Sequence, residues 1–351
     1  MPKKKQKVFV GMSGGVDSSV AAALLKRGGF DVVGVYMKCW TEGVACTSQD
    51  DERSARLAAA HLGIPFYVWN FLKEYREKVV DYMLKGYATG VTPNPDMMCN
   101  KEIKFGLFYD RAMKLGADYV ATGHYARLRR EIRNPKSEIR ILKGKDPDKD
   151  QSYFLSFIRP SVLANLMFPV GNHLKTEVRA YAKKIGLPNA ERKDSQGICF
   201  VGKVEMGDFL REHIPTQEGD IVSVDGKLLG KHDGAFYYTI GQREGIGLSG
   251  GPYYVVQKEF KTNRLVVSTK MEDILKEEIM VRDINWFSKP TDTPIRVSAK
   301  FRYRHPDVPV ALEIQGDSCL VKPDTPQRAI TPGQFAVFYR GDELIGGGVI
   351  V

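Results

Sequence analysis

The sequence predicts an α/β protein: a doubly wound, mostly parallel, Rossmann-like sheet, then a small intermediate domain and a C-terminal β-barrel. Three observations carry this expectation. Short apolar runs alternate with helical periods over the first two hundred residues, and from about Gly219 short alternating runs punctuated by Gly and Pro replace them. The chain has 351 residues, 43% hydrophobic and 27% charged, enough for two or three packed domains, expected at 1–205, 206–278 and 279–351. That composition excludes disorder, collagen and coiled coil, and no apolar run approaches the roughly 18 residues of a membrane span.

Lys7–Met12 reads as a buried strand, because Val8, Phe9 and Val10 run straight into glycines. A helix follows over about Asp17–Arg27, then a strand at Asp31–Lys38, a helix at Gln49–Leu62 and a strand at Phe66–Asn70. Helical periods near Glu74–Lys85 and Ile103–Leu115 precede a fourth strand, Tyr119–Gly123. Leu174–Ile185 is amphipathic and is stopped by Gly186 and Pro188. Expected strands of the second half include Tyr237–Ile240, Tyr253–Gln257, Leu265–Ser268, Ile295–Phe301 and Phe335–Tyr339. In a doubly wound sheet ligands sit beyond the carboxyl ends of the strands, so chemistry is expected just after them.

The net charge is 52 − 42 = +10, with four positives in the N-terminal run Lys3, Lys4, Lys5 and Lys7, read as a solvated tail. Between Arg127 and Lys149 nine basic residues face four acidic ones, which suits either a polyanionic partner or an exposed hairpin with charged faces. In the first case, neutralising Arg127, Arg129 and Arg130 should flatten the salt dependence of binding. The five cysteines (39, 46, 99, 199 and 319) form no C-x-x-C pair. A zinc ribbon has no support, and a reducing, cytoplasmic setting is expected.

The strongest local pattern is Gly11-Met12-Ser13-Gly14-Gly15-Val16-Asp17-Ser18-Ser19, between a strand and a helix. Glycines let several N–H groups converge, and the helix N-terminus adds its positive end, which suits phosphate. Ser13, Ser18 and Ser19 supply hydroxyl donors, and Asp17 suits a divalent cation or its waters. Without the Gly-Lys-Ser/Thr ending it is no Walker A loop, and it fits a pyrophosphate leaving group better than a gripped γ-phosphate. The plainer alternative is a Gly/Ser turn with an Asp cap.

Ser13 to Ser18 resembles the pyrophosphate loop (PP-loop) of the ATP pyrophosphatase superfamily, whose members adenylate a substrate. Thr92–Asn100, Ala121–Ala126, Asp150–Leu155, Asp194–Phe200 and Tyr238–Arg243 are similar to motifs of the tRNA 2-thiouridylase family, MnmA. The resemblance runs in order from about residue 8 to the C-terminus. It implies an ATP-dependent sulfurtransferase that adenylates the C2 oxygen of the wobble uridine and replaces it with sulfur. ATP and Mg²⁺ are the implied cofactors, held by Gly11, Met12, Ser13, Gly14, Gly15, Val16, Asp17, Ser18, Met37 and Gly123.

Taken on its own residues, Cys99 follows Pro-Asn-Pro-Asp, a rigid loop in which two prolines fix φ and disfavour helix. Such a loop can hold Asp96 and Cys99 in a set orientation, and a carboxylate three residues from a thiol suits acid/base work beside a nucleophile. The resemblance makes Cys99 the nucleophile, Asp96 an acid/base or orienting group, and Asn94, Pro95 and Asp96 contacts to the target base. Cys199, which its own surroundings leave equally open to a structural role, becomes the persulfide carrier, with a transient Cys99–Cys199 disulfide. His124, Lys149, Asp150, Gln151, Arg302, Tyr303 and Gln334 become tRNA contacts. Alternation along Lys300–His305 places Lys300, Arg302 and Arg304 on one strand face. Implied partners are the tRNAs for Lys, Glu and Gln and a persulfide-donating carrier or cysteine desulfurase, with no membrane. An iron–sulfur cluster on Asp96, Cys99 and Cys199 is the alternative mechanism. The rival functions are a small-molecule adenylating ligase or amidotransferase of the same superfamily, and an RNA-binding protein with a vestigial nucleotide fold.

Overall fold

The computed structural model describes residues 5–41, 48–132, 137–193 and 206–351. The chain divides into two compact units. The first takes Met1–Val79, Asp96–Val204 and Asp342–Ile345, and the second takes Val80–Pro95, Glu205–Gly341 and Gly346–Val351.

The first unit is built on a parallel sheet of β1 (Lys7–Gly11), β2 (Asp31–Lys38), β3 (Phe66–Asn70), β4 (Tyr119–Thr122) and β7 (Leu166–Met167), in the order β3-β2-β1-β4-β7. Central β1 pairs with a neighbour on each side, Val10 lying against Gly34 and against Ala121. Buried on both faces, it reads as an unbroken apolar run rather than an alternation. Helices α1 (Val16–Arg27), α2 (Ser48–His61) and α3 (Lys175–Lys184) carry Val20, Ala21, Ala55, Ala58, Val178 and Ala182 into the core around Val8 and Val10. Alanines on these faces let the helices approach the sheet closely. Strands β5 (Ala126–Ile132) and β6 (Ser137–Lys143) form the hairpin, and Leu142 and Ile141 pair with Glu343 and Leu344.

Two helical expectations need correction. The helix expected over Glu74–Lys85 is three pieces: Leu72–Tyr75, a wide π-helical turn at Arg76–Val80, and Asp81–Ala88. The one expected from Ile103 starts eight residues earlier, as Pro95–Met98, then π-helical Cys99–Phe108, then Tyr109–Lys114. Proline has no N–H to lose in a first turn, so Pro95 opens this helix rather than blocking it. Asp96 and Cys99 therefore ride on helix, not on a proline-stiffened loop. Their spacing of three places them on neighbouring positions of one face.

In the second unit a four-stranded sheet, ordered β10 (Tyr254–Glu259), β11 (Arg264–Ser268), β8 (Gly219–Ser223) and β9 (Leu228–His232), buries Ile221, Ile246, Val255, Leu265 and Val267. The strand expected at Tyr237–Ile240 is absent: a short turn at Ala235–Tyr237 leads to irregular backbone, tied by Gly241 N–H to Val255 O at 2.7 Å. Strand β12 (Leu275–Lys276), just ahead of the barrel in sequence, pairs with β17 (Gln327–Arg328), which falls between two strands of the barrel. The barrel runs β13 (Ile279–Trp286), β16 (Ser318–Pro323), β15 (Val308–Gln315), β14 (Ile295–Lys300), β18 (Phe335–Arg340) and β19 (Glu343–Ile350), and β13 pairs with β19 to close it. Closure removes free edges, which is how a small antiparallel sheet avoids open pairing. Strand β14 ends at Lys300, and Arg304 sits at φ +62° in a turn closed by His305 N–H to Arg302 O. Lys300, Arg302 and Arg304 therefore do not share a strand face, contrary to the alternation.

Candidate active site

The loop after β1 turns its carbonyls into the protein. Gly14 O accepts from Ser54 Oγ at 2.7 Å, Asn189 Nδ2 at 2.9 Å and Arg192 Nη1 at 3.4 Å. Gly15 O accepts from Ser18 Oγ at 3.2 Å and Ser19 Oγ at 3.1 Å. In a planar trans peptide the N–H lies opposite the carbonyl, so the following N–H groups face the other way, at the positive end of α1. Gly14 holds φ +83°, and a Cβ there would fall 2.3 Å from Asp51 O, so no other residue fits without moving α2. Behind the loop, Gly123 passes so close that a Cβ would lie 2.6 Å from Ser18 N. These features fit a pyrophosphate-bearing ligand. Ser13 is exposed, while Met12 and Val16 are core residues that anchor the two ends.

Asp17 points at a residue the sequence reading missed. Both of its carboxylate oxygens lie 2.7 Å from Lys175 Nζ, and Tyr125 OH donates to Oδ1 at 2.8 Å. Lys175 is the first residue of α3 and is buried, with its N–H donating to Asp146 Oδ2 at 2.8 Å. A lysine at the positive end of a helix opposes the helix dipole, and that was the available signal: such a residue needs another reason to be there. The site thus brings a cation to the anion-seeking loop. Asp17 already has an ammonium partner, so a divalent ion would share the carboxylate with Lys175.

Met37, 6% exposed, packs its methyl against Gly11, where a Cβ would sit 3.1 Å away. Its thioether therefore belongs to the core, and the backbone at the end of β2 is what it offers a nucleotide base. His124 is also buried. Its Nδ1 lies 2.7 Å from Thr122 Oγ1, and its ring sits between Phe105 and Phe168 at 5.6 and 6.0 Å. Burial, then the Lys104 charge, hold its pKa well below the usual value, so it is neutral. Desolvation favours an uncharged, packed imidazole at this strand end.

Cys99 is fully buried at the start of the π-helical stretch, with Asp96 beside it partly exposed. Asn100 Nδ2 donates to Asp96 O at 2.9 Å, and Ser156 Oγ donates to Met97 Sδ at 3.5 Å. π-helical turns set within α-helices recur at functional sites, and here the π-helical stretch follows the α-helical turn Pro95–Met98. Cys199 and the Asp194–Phe200 motif lie outside the described residues, as does Cys46. Cys39 and Cys319 are core thiols, and burial pushes that of Cys319 up to about 11.

Of the expected tRNA contacts, Asp150 is 6% exposed and organises its own loop, accepting from Gly144 N at 2.9 Å, Ser152 N at 3.1 Å and Ser152 Oγ at 3.0 Å. Gln151 Oε1 accepts from Tyr125 N at 3.0 Å, and Lys149, like Gln151, is half-buried. Asp150 is thus buried and Gln151 half-buried, each with a hydrogen-bond partner in its own loop or in the neighbouring main chain. Arg302 and Arg304 are exposed, with the Arg304 guanidinium 5.4 Å from the Tyr303 ring centre. Gln334 faces the main chain of Thr92 and Pro93.

Comparison with known proteins agrees with this picture. A family model described as a tRNA methyl transferase HUP domain matches residues 6–203, a tRNA methyl transferase PRC-barrel domain matches 207–269, and an aminomethyltransferase beta-barrel domain matches 276–350. The tRNA-specific 2-thiouridylase MnmA of Geobacillus thermodenitrificans is 48% identical, covering 98% of this chain and 94% of its own. That of Halalkalibacterium halodurans is 46% identical over 99% and 95%. A solved 4-thiouridine synthetase–RNA complex with bound ATP matches 56% of this chain and 46% of its own at 17% identity, with a TM-score of 0.35, too distant to bear on function. The domain descriptions speak of methyl transfer, whereas the relatives matched end to end are thiouridylases, and identity of this extent decides between them: the chain belongs to the tRNA-specific 2-thiouridylase (MnmA) family.

Proposed function

We propose that this protein is an ATP-dependent tRNA sulfurtransferase that makes 2-thiouridine at the wobble position of the tRNAs for Lys, Glu and Gln. The observation that carries the reading is a phosphate-seeking loop with a buried lysine behind it, in a chain of this family. Carbonyl oxygen is a poor leaving group, so the uridine must be activated. Its C2 oxygen attacks the α-phosphorus of ATP, the α–β bridge breaks, and pyrophosphate leaves. The loop N–H groups and Lys175 stabilise the charge that develops on it. Asp17 is the protein group that would hold a magnesium ion, which when bound would supply screening of the phosphate charge. The outer sulfur of a Cys199 persulfide then bonds to C2 and AMP departs. Attack by the Cys99 thiolate on the inner sulfur breaks the persulfide bond, leaves sulfur on the base, and forms the Cys99–Cys199 disulfide. An external thiol reductant must then restore both cysteines. Asp96 orients Cys99 or moves its proton.

The test is incubation with ATP, magnesium, unmodified tRNA and a persulfide donor such as a loaded sulfur carrier. AMP and thiolated tRNA should appear together, and the Cys99–Cys199 bridge should rise with product in a single turnover without reductant. Cys99→Ser should load sulfur on Cys199 and fail to pass it on. AMP without RNA dependence would assign a small-molecule ligase instead, and bound iron with no disulfide would assign the cluster mechanism.

A further inference from the structure

The loop after β1 is held from behind by one side chain from far along the sequence. Asn189 Nδ2 lies 2.9 Å from Gly14 O, 3.3 Å from Gly15 O and 2.9 Å from Ser19 Oγ. Two N–H groups account for all three contacts. One donates to Gly14 O, and the other donates to Ser19 Oγ, whose own hydroxyl donates onward to Gly15 O at 3.1 Å. The amide has one workable orientation, because a flip would set Oδ1 against two carbonyl oxygens that can only accept. In that orientation Oδ1 is buried with no hydrogen-bond partner among the described residues, and Asn189 as a whole is 6% exposed. An unpaired buried acceptor is a cost, so the two donors are what this position supplies in return. The turn that carries Asn189 is itself fixed. Leu187 and Ala190 are core residues, and Ala190 N–H to Leu187 O and Arg192 N–H to Asn189 O, each at 3.0 Å, close it. All these residues belong to the first unit.

We propose that Asn189 is a positioning residue for pyrophosphate: it fixes the Gly14 and Gly15 carbonyls inward and so keeps the N–H groups of Gly15 and Val16 aimed outward at phosphate. Each of these carbonyls shares a planar peptide with the N–H of the next residue, so freeing a carbonyl turns a phosphate donor away. Gly15 N–H lies 3.4 Å from Ser13 Oγ, on the exposed side of the loop. Glycine peptides rotate most readily, since no Cβ restrains them, and these two therefore need a hold from outside the loop. Ser19 becomes the relay of that hold rather than a phosphate ligand, because it is fully buried and its hydroxyl is engaged by Gly15 O. The phosphate role of the loop is taken from the proposed function, which this assignment deepens.

The test compares two probes on the full-length protein by calorimetry, inorganic pyrophosphate and AMP. Asn189→Leu, which removes both donors at similar size, should weaken pyrophosphate binding at least tenfold at about pH 8 and AMP binding less than twofold. Asn189→Asp should do the same at that pH. Its deficit relative to wild type should shrink at about pH 5.5, where a buried carboxyl regains an O–H donor, while that of Asn189→Leu should not. Ser19→Ala, which breaks the relay alone, should cost about threefold in pyrophosphate affinity. A merely structural role predicts equal loss of both probes in step with a lower urea midpoint, and that result overturns the inference. So does an Asn189→Leu protein that binds pyrophosphate within twofold of wild type. Should Asn189→Leu not fold, Asn189→Asp and Ser19→Ala decide by the same split between probes. Wild-type protein that binds pyrophosphate but thiolates no tRNA would sink the proposed function alone, whereas wild type that binds no pyrophosphate at millimolar concentration overturns this inference.

Discussion

Two cationic regions look alike in the sequence and differ in the structure: the hairpin around Arg127–Arg140 and the turn at Arg302–Arg304. Among the described residues of the hairpin the guanidiniums are engaged. Arg127 reaches Lys143 O and Asp342, each at 2.7 Å, and Arg130 reaches the carbonyls of Ala164 and Leu166 at 2.9 and 3.2 Å. Arg140 bridges Glu138 at 2.9 Å and buried Glu343 at 2.6 Å, and both hydrogen bonds raise its pKa further. In the barrel turn Arg302 and Arg304 are exposed, and among the described residues neither forms an ion pair. Local charge excess is therefore a poor guide to a nucleic-acid surface. What matters is whether each cation already has an anion or a carbonyl.

The comparison breaks first, and most visibly, at Arg140. Arg140→Met leaves the buried carboxylate of Glu343 with Arg129, at 3.6 Å, as its one ion-pair partner among the described residues, and should cost about 3 kcal/mol in urea unfolding. Its effect on the salt dependence of tRNA binding should be negligible. Next is the double change Arg302→Ala with Arg304→Ala: tRNA affinity at 0.15 M salt should fall roughly tenfold, with the log–log salt slope reduced by about 2 and the melting temperature unchanged. A slope equal to wild type would show that the turn touches no phosphate. A smaller effect is expected for Arg127→Gln with Arg130→Gln, roughly 0.5–1 kcal/mol of stability and less than twofold in tRNA affinity. Should that pair instead flatten the salt slope, the hairpin is an RNA surface after all and the distinction fails.

The smallest expected effect is on pH. His305 beside the barrel turn has its pKa lowered, first by burial and then by the Arg302 charge, and His124 is lowered mainly by burial. For both, the unfolded chain takes up protons before the folded one does. Their contribution is present above about pH 6.5 and is lost as the pH falls below it. Urea midpoints should therefore drop between pH 7 and 5, by less in His305→Gln. Replacing Arg302 with Ala should let the His305 resonance titrate at higher pH in NMR, and no movement would remove that charge from its surroundings.

Legibility followed the range of the interactions. The loop from Gly11 to Ser18 was readable because its glycine spacing, serine hydroxyls and strand–helix setting are local, and the structure places them as expected. Lys175 was not, since its partner Asp17 lies 158 positions away and only its odd place at a helix start hinted at it. The Pro-Asn-Pro-Asp stretch was legible as stiff, but the helix begun by Pro95 was not, because proline reads as a breaker until it is known to stand in a first turn. Alternation suggested one face for Lys300, Arg302 and Arg304, and a positive φ at Arg304 decided otherwise.

What the sequence by itself determined is the α/β order of the first unit and the β texture of the second, the loop after β1 and the family, because short-range patterns of apolar spacing, glycine and proline dictate backbone geometry over a few residues. Only the tertiary structure decided which polar groups are available. Asp150, His124 and Gln334 each carry functional groups that suit RNA, and the fold gives each a partner within the protein as well: Ser152 for Asp150, Thr122 for His124 and the Thr92 and Pro93 carbonyls for Gln334. A buried polar group must find a partner within the protein, and that partner comes from wherever the chain has been brought close, over distances that no local pattern records.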